Sequence, residues 1–250
     1  ATHNWGMLFD LLRSMGFDVK VCHSKRAKMI GMANVKNDKV DAFKLATLLR
    51  VGLLPECYVP TPESRELRAI VRGRAALKKT STALKNQVHA ILRANWVVVP
   101  SYSDLFGKKG RLFLDGLQID DGYAAVIKSK LDVLDSVNEQ IAVLDEEIKR
   151  RAQMDLRAMI LTTAPGFAEF RSMMLLAEIG SIERFSRAES FTYSTGLTPC
   201  ESSSGEKVRR GRITREGSTW LRWLFVEAAQ QAIKEDGKIR DLYLRVSAKK

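Results

Sequence analysis

The sequence predicts a mainly α-helical protein with an α/β start, and three patterns carry that prediction. Apolar residues recur at steps of three and four over 65–93 and again over 127–148, the spacing of two long amphipathic helices. Near the front, Phe17, Val19 and Val21 alternate with Asp18, Lys20 and Cys22, which is the period of a strand. Toward the end, Trp220, Leu221, Trp223, Leu224, Val226, Ala228 and Ala229 give a further apolar helix.

The opening helix is drawn by Trp5, Met7, Leu8, Leu11, Leu12 and Met15, and stops before Gly16. Helix, glycine, strand is half of an α/β unit with no partner strand before it, so the natural polypeptide is expected to start upstream. A basic segment then leads to Lys36-Asn-Asp-Lys-Val-Asp-Ala42 and a helical run from Phe43 to Leu49. Asp38 and Asp41 stand three apart, which on a helix puts both carboxylates on one face with Cβ atoms about 5 to 6 Å apart. Such a pair suits a hard divalent cation that keeps water and phosphate oxygens as further ligands. The plainer alternative is that Asn37 or Asp38 caps the helix and Asp41 complements its dipole.

Gly52, Pro55, Pro60 and Pro62 mark a linker. In the helix that follows, Arg65, Arg68, Arg72, Arg74, Lys78, Lys79, Lys85 and Arg93 oppose Glu66 alone, a density of charge that a nucleic-acid backbone would relieve. Residues 95–122 read as an irregular loop. The natural mate of the 127–148 helix is the 65–93 helix, giving an antiparallel coiled-coil arm; a mate in another subunit is the alternative. From Asp155 onward, Leu161 to Gly180 has the outline of a helix-hairpin-helix around Pro165-Gly166, a turn whose N–H groups can hold a phosphate. The expected domains are 1–60, 61–152 and 153–250.

The formal charge of +12 is spread along the 250 residues rather than gathered in a tail, which makes DNA or RNA the expected partner. Cys22, Cys57 and Cys200 are odd in number, far apart and lack Cys-x-x-Cys spacing, so neither a disulfide framework nor a zinc ribbon is indicated. No apolar run approaches the roughly 18 residues of a membrane span and no secretion signal is present, so a cytoplasmic, nucleoid-associated protein is expected.

The chemistry centres on Leu197 to Gly217. Three hydroxyls, Ser202, Ser203 and Ser204, end at Gly205, and Lys207, Arg209, Arg210, Arg212 and Arg215 follow against Glu206 and Glu216. A hydroxyl-rich turn followed at once by a basic one favours phosphate. On its own it reads first as a solvated Ser/Gly loop with ordinary surface arginines, and it needs a context before it means chemistry.

Taken in order, Lys36 to Ala42, the basic helix, Pro165-Gly166, Leu176-Ala-Glu-Ile-Gly180, Gly196-Leu-Thr-Pro199, Ser204-Gly205, Gly211 to Gly217 and Leu221-Arg222 resemble the IS110 family of transposases, relatives of the Piv DNA invertase. The resemblance covers nearly the whole chain. It implies an RNase H-like (RuvC-like) domain, here only its C-terminal part, and a C-terminal α-rich serine transposase domain. It matches Asp38 and Asp41 to the last two of four Asp, Glu, Asp, Asp acids, with the first two expected upstream of residue 1. It matches Ser204 to the family's nucleophile, with Ser203 and Ser202 as alternatives. It further implies Mg²⁺, DNA and a guide (bridge) RNA as partners, and a homo-oligomer, dimer or tetramer. Two competing readings stay open: a non-catalytic nucleic-acid scaffold, and a metal-dependent junction nuclease that does without serine chemistry.

Overall fold

The computed structural model describes residues 4–24, 26–27, 37–204, 207–235 and 237–248, with the side chains of 203, 204, 207, 208 and 210 left aside. Among the described residues it is mainly helical with one two-stranded sheet, as a mainly α chain should be. The chain divides into two compact units, Ala1–Thr61 and Pro62–Lys250.

The first unit carries α1 (Trp5–Ser14) and α2 (Asp38–Arg50). No residue of α1 is buried, and Leu48 is the buried residue of α2. The strand expected over 17–22 is not formed. In its place stands an isolated antiparallel bridge, Cys22 with Glu56, flanked by Cys57 N–H to Val21 O at 2.6 Å and His23 N–H to Pro55 O at 2.8 Å. Alternation describes a side-chain pattern, but a strand needs a ladder partner along its length. Among the described residues that partner meets only the end of the run. Phe17 accordingly stands 57% exposed.

The second unit is organised by two long helices, α3 (Pro62–Ala94) and α5 (Asp121–Met154). Proline in the first position of α3 has its ring pre-set for the helix and no N–H to leave unpaired. The two run antiparallel within this chain. Arg151 pairs with Glu66, Arg74 with Asp145, Ser81 with Asn138 and Lys130 with Gln87, so numbers rise along α3 as they fall along α5. Ser81 is 1% exposed and donates to Asn138 Oδ1 at 3.1 Å, so a buried hydroxyl is met by the amide of an exposed asparagine across the helix pair.

Each end of the helix pair has its own core. At the far end, Val88, Leu92, Ile127, Leu131 and Leu134 pack with Leu105 and Leu114. Those last two come from 95–122, which is therefore no plain loop: it holds α4 (Lys108–Asp115) and folds beneath the helices. The apolar spacing in a helix of 8 residues is too brief to stand out in the sequence, while Leu105, Phe106, Phe113 and Leu114 still have to leave water.

At the near end, Val71, Ile148 and Ala152 join a core built from α6 (Leu156–Leu161), α7 (Glu169–Ile179) and α9 (Thr219–Glu235). Phe167, Phe191 and Phe225 stack edge-on around it. Between α7 and α9 come α8 (Ala188–Thr195) and the hairpin β1 (Pro199–Ser204) and β2 (Lys207–Ile213). The last helix is α10 (Gly237–Ser247). Among the described residues, no helix is long and apolar enough to cross a membrane.

Candidate functional site

The stretch read as a serine turn and a basic turn is an antiparallel hairpin. Ser202 pairs with Arg209, Ser203 with Val208 and Ser204 with Lys207, so the hydroxyl-bearing run of β1 lies across from the cation-bearing run of β2. The register slips between Pro199 and Glu201, where the single residue Cys200 stands against two of β2, Gly211 and Arg212. Proline begins the strand, where its missing donor costs nothing to the ladder. Gly205 and Glu206, and the side chains of Ser203, Ser204, Lys207 and Arg210, lie outside what is described. Ser202, Arg209, Arg212 and Arg215 are exposed.

An isolated two-stranded ribbon is marginal in water, so its foot matters. Thr214 N–H donates to Thr198 O at 2.8 Å, Arg215 N–H to Gly196 O at 3.2 Å and Ser218 N–H to Ser194 O at 3.2 Å. Gly196 ends α8 in the left-handed region at φ +71°. Gly217 lies so close to α8 that a Cβ there would come within 2.2 Å of Ser194 O. Ser218 then caps α9, accepting from Leu221 N–H at 3.3 Å.

Ser218 is also tied downward. Its hydroxyl donates to Glu178 Oε2 at 3.1 Å, and Arg72 grips the same carboxylate with both arms at 2.7 and 3.0 Å. Arg68 donates to the carbonyls of Ala177 and Glu178 at 2.7 and 2.9 Å, covering the end of α7. Arg74 holds Asp145 and lies 4.5 Å over the Phe170 ring. The basic helix is therefore not one open face. Arg68, Arg72 and Arg74 tie α3 to α7 and α5, and Lys85 faces Asp104 at 3.9 Å and the Phe106 ring. Lys78 and Lys79 are exposed, and Arg65 is half-buried. The sequence shows a charge but not its partner: Glu178 lies 106 residues beyond Arg72.

Gly166 faces α9. At φ +79° a Cβ would meet Ala228 O at 2.2 Å, and its N–H points to Glu235 Oε2 at 3.4 Å while Arg171 donates to its carbonyl. The expected phosphate turn thus has a carboxylate at its N–H. A groove of about 500 Å³ beside Arg150, Arg151 and Arg157 is likewise provided with its own acids. Glu147 and Glu66 pair with the first two, and Asp155 with Arg157, whose guanidinium lowers the Asp155 carboxyl below its ordinary range.

In the first unit, Asn37 caps α2, its side chain accepting from Lys39 N–H at 2.9 Å. Asp38 and Asp41 fill the first turn, both exposed, with Lys44 3.7 Å from Asp41. The cap and the carboxylate pair thus coexist on one helix start. Among the described residues, no group of three or more His, Cys, Asp or Glu could hold a metal ion. Two accessible carboxylates one turn apart still have the donor chemistry of part of a Mg²⁺ site, hard oxygens with room for water.

Residues 1–96 match the family model DEDD_Tnp_IS110 (Transposase), and residues 158–244 match Transposase_20, the Transposase IS116/IS110/IS902 family. The chain belongs to the IS110 family of transposases. Similar proteins include the Probable family 20 transposase of Pseudomonas aeruginosa, 23% identical over 94% of this chain and 69% of its own length. The transposase for insertion sequence element IS1111A of Coxiella burnetii is 23% identical over 88% of this chain and 61% of its own length. The putative transposase y4qE of Sinorhizobium fredii is 26% identical over 89% and 54%. The chain thus spans between 54% and 69% of the length of these relatives.

Proposed function

We propose that this chain is the larger part of a DNA transposase that cleaves and exchanges strands through a serine nucleophile on the β1–β2 hairpin. The observation that supports this most is the register that sets Ser202 and Ser204 opposite Arg209 and Lys207. A hydroxyl attacking a phosphodiester needs cations beside the phosphorus, because charge gathers on the non-bridging oxygens as the fifth bond forms. Arginine forks satisfy two such oxygens at once.

In this reading Ser204 Oγ loses its proton to solvent and bonds to phosphorus. The P–O3′ bond breaks, the 3′ oxygen takes up a proton, and the 5′ phosphate stays on the serine. Arg209, Arg210, Arg212 and Arg215 hold the flanking phosphates. Asp38 and Asp41, within the C-terminal part of an RNase H-like domain, would hold Mg²⁺ together with acids from outside this chain. Such an ion supplies Lewis-acid neutralisation of phosphate charge. A guide RNA would choose the sites by base pairing, leaving backbone contacts to the protein's many cations, and the working particle would be a homo-oligomer.

A suicide DNA substrate tests this. The reading expects a covalent protein–DNA adduct that Ser204→Ala abolishes and Asp38→Asn lowers while DNA stays bound. Cleavage without adduct would point to a junction nuclease, and binding without cleavage to a scaffold.

A further inference from the structure

We infer that the foot of the hairpin is a binding site for a backbone phosphodiester, formed by Arg222 with Thr198 and Arg215. This rests on the DNA-processing reading above and deepens it by naming residues outside the hairpin strands that take the substrate's phosphate.

Arg222 is the starting point. Its Nη1 is buried without a hydrogen-bond partner, and among the described residues Arg222 forms no ion pair. A long side chain in the first turns of a helix ordinarily carries its charge to water. Turning a guanidinium nitrogen inward with no acceptor leaves an uncompensated desolvation penalty. The contrast with Arg68, Arg72 and Arg74 is direct, since each of those is met by carbonyls or a carboxylate.

The slot that holds Arg222 is made by Gly196. A Cβ at that position would lie 2.6 Å from Arg222 Nη1 and 3.2 Å from Arg215 Cα, so the guanidinium and the Arg215 backbone both converge on a missing side chain. Two further anomalies lie on the chain segments beside Gly196: Thr198, two residues after it, and Arg215, whose N–H donates to the Gly196 carbonyl at 3.2 Å. Thr198 Oγ1 is likewise buried without a partner. Arg215, itself exposed, stands at φ +55°, a left-handed conformation that a non-glycine residue adopts at a strain, and such strain gathers at ligand clamps.

A phosphate oxyanion answers these together. Its oxygens accept from the guanidinium and from the threonine hydroxyl, its charge balances Arg222, and Arg215 closes over it. The surrounding charge favours a phosphate that belongs to nucleic acid: Lys207, Arg209, Arg210 and Arg212 lie on the adjoining strand of a chain with net charge +12.

The test uses the full chain, with inorganic phosphate and duplex DNA as separate probes. In phosphate-free buffer of matched ionic strength, Arg222→Gln is expected to melt no lower than wild type, because it removes an unmatched buried charge. Millimolar phosphate should raise the wild-type melting temperature by about 3 °C and leave Arg222→Gln unmoved. On duplex DNA, Arg222→Gln should bind roughly tenfold more weakly, with the slope of log affinity against log salt reduced by about one. Thr198→Val, close in shape, should lose part of both responses and serves if Arg222→Gln fails to fold.

A changed slope on DNA supports the site with or without a response to free phosphate. An unchanged slope overturns it, and a phosphate shift that persists in Arg222→Gln does the same. Neither readout needs strand cleavage. An adduct lost in Ser204→Ala beside an unaltered slope in Arg222→Gln would therefore sink this site and leave the cleavage reading standing, and the reverse pattern would separate them the other way.

Discussion

Glu178, with its side chain 3% exposed, joins three elements: its own helix α7, Arg72 of α3 and Ser218 at the head of α9. Two arginine donors and one hydroxyl match the carboxylate's lone pairs well, which makes its burial tolerable. Glu178→Ala should lower stability by on the order of 3 kcal/mol, because the Arg72 side chain and the Ser218 hydroxyl lose their acceptor together. Thermal unfolding measures the loss, and Glu178→Gln, which keeps a partial set of bonds, should fall between. The glutamate was visible in the sequence as part of Leu176 to Gly180, but its role was not, since neither partner is near it in the chain. Glu147 gives a different kind of prediction. Hydrogen bonds from Arg150 and then Arg151 pull its carboxyl from 4.5 down to about 2. Folding therefore favours the ionised form, and its contribution is complete above pH about 4.5 and lost as pH falls toward about 2. Comparing urea midpoints of the parent and Glu147→Gln across that window should show the difference between them closing as the pH drops.

The two long helices were legible because a 3.6-residue period repeated many times leaves little else to fit: 65–93 and 127–148 lie inside α3 and α5, each extending further at both ends. Their pairing within the chain was one of two alternatives, and the choice is made by side chains far apart in sequence, Glu66 with Arg151 and Arg74 with Asp145. The hairpin was harder to see. Ser202 to Ser204 and the arginines after Gly205 carry turn and charge signals rather than strand alternation, so they read as two turns. The 17–22 run failed in the opposite sense, with a strand pattern and no ladder along it. At this scale Ser81 and Asn138 make a testable device. Asn138→Ala should cost about 1 to 2 kcal/mol by leaving the Ser81 hydroxyl buried and unmatched. Ser81→Ala with Asn138→Leu should regain most of that in chemical denaturation, while letting the helices slide against each other more freely.

For the molecule as a whole, a net charge of +12 overstates the surface available to a polyanion, since Arg68, Arg72, Arg74, Arg150, Arg151 and Arg157 are engaged by groups of the protein itself. The hairpin cations are then expected to dominate the salt response. Replacing Lys207, Arg209, Arg210 and Arg212 by Gln should reduce the log–log salt slope of DNA binding by roughly three to four, whereas Lys78→Gln with Lys79→Gln should reduce it by at most about two. Filter binding at graded potassium chloride would show which surface carries the contacts. The sequence laid out the family's pieces in order, among them Gly196-Leu-Thr-Pro199 and Leu221-Arg222; that the Arg222 Nη1 turns inward with nothing to hold became visible only once helix start and hairpin foot were brought together. The opposed numbering of α3 and α5 has a last consequence. Because every turn added to one helix would carry its later residues past their opposite numbers, the arm can change length in related proteins only by matched gains or losses on both sides. A lone one-turn deletion in either helix should unseat Ser81 from Asn138 and strand the packing of Leu105 and Leu114 beneath the tip.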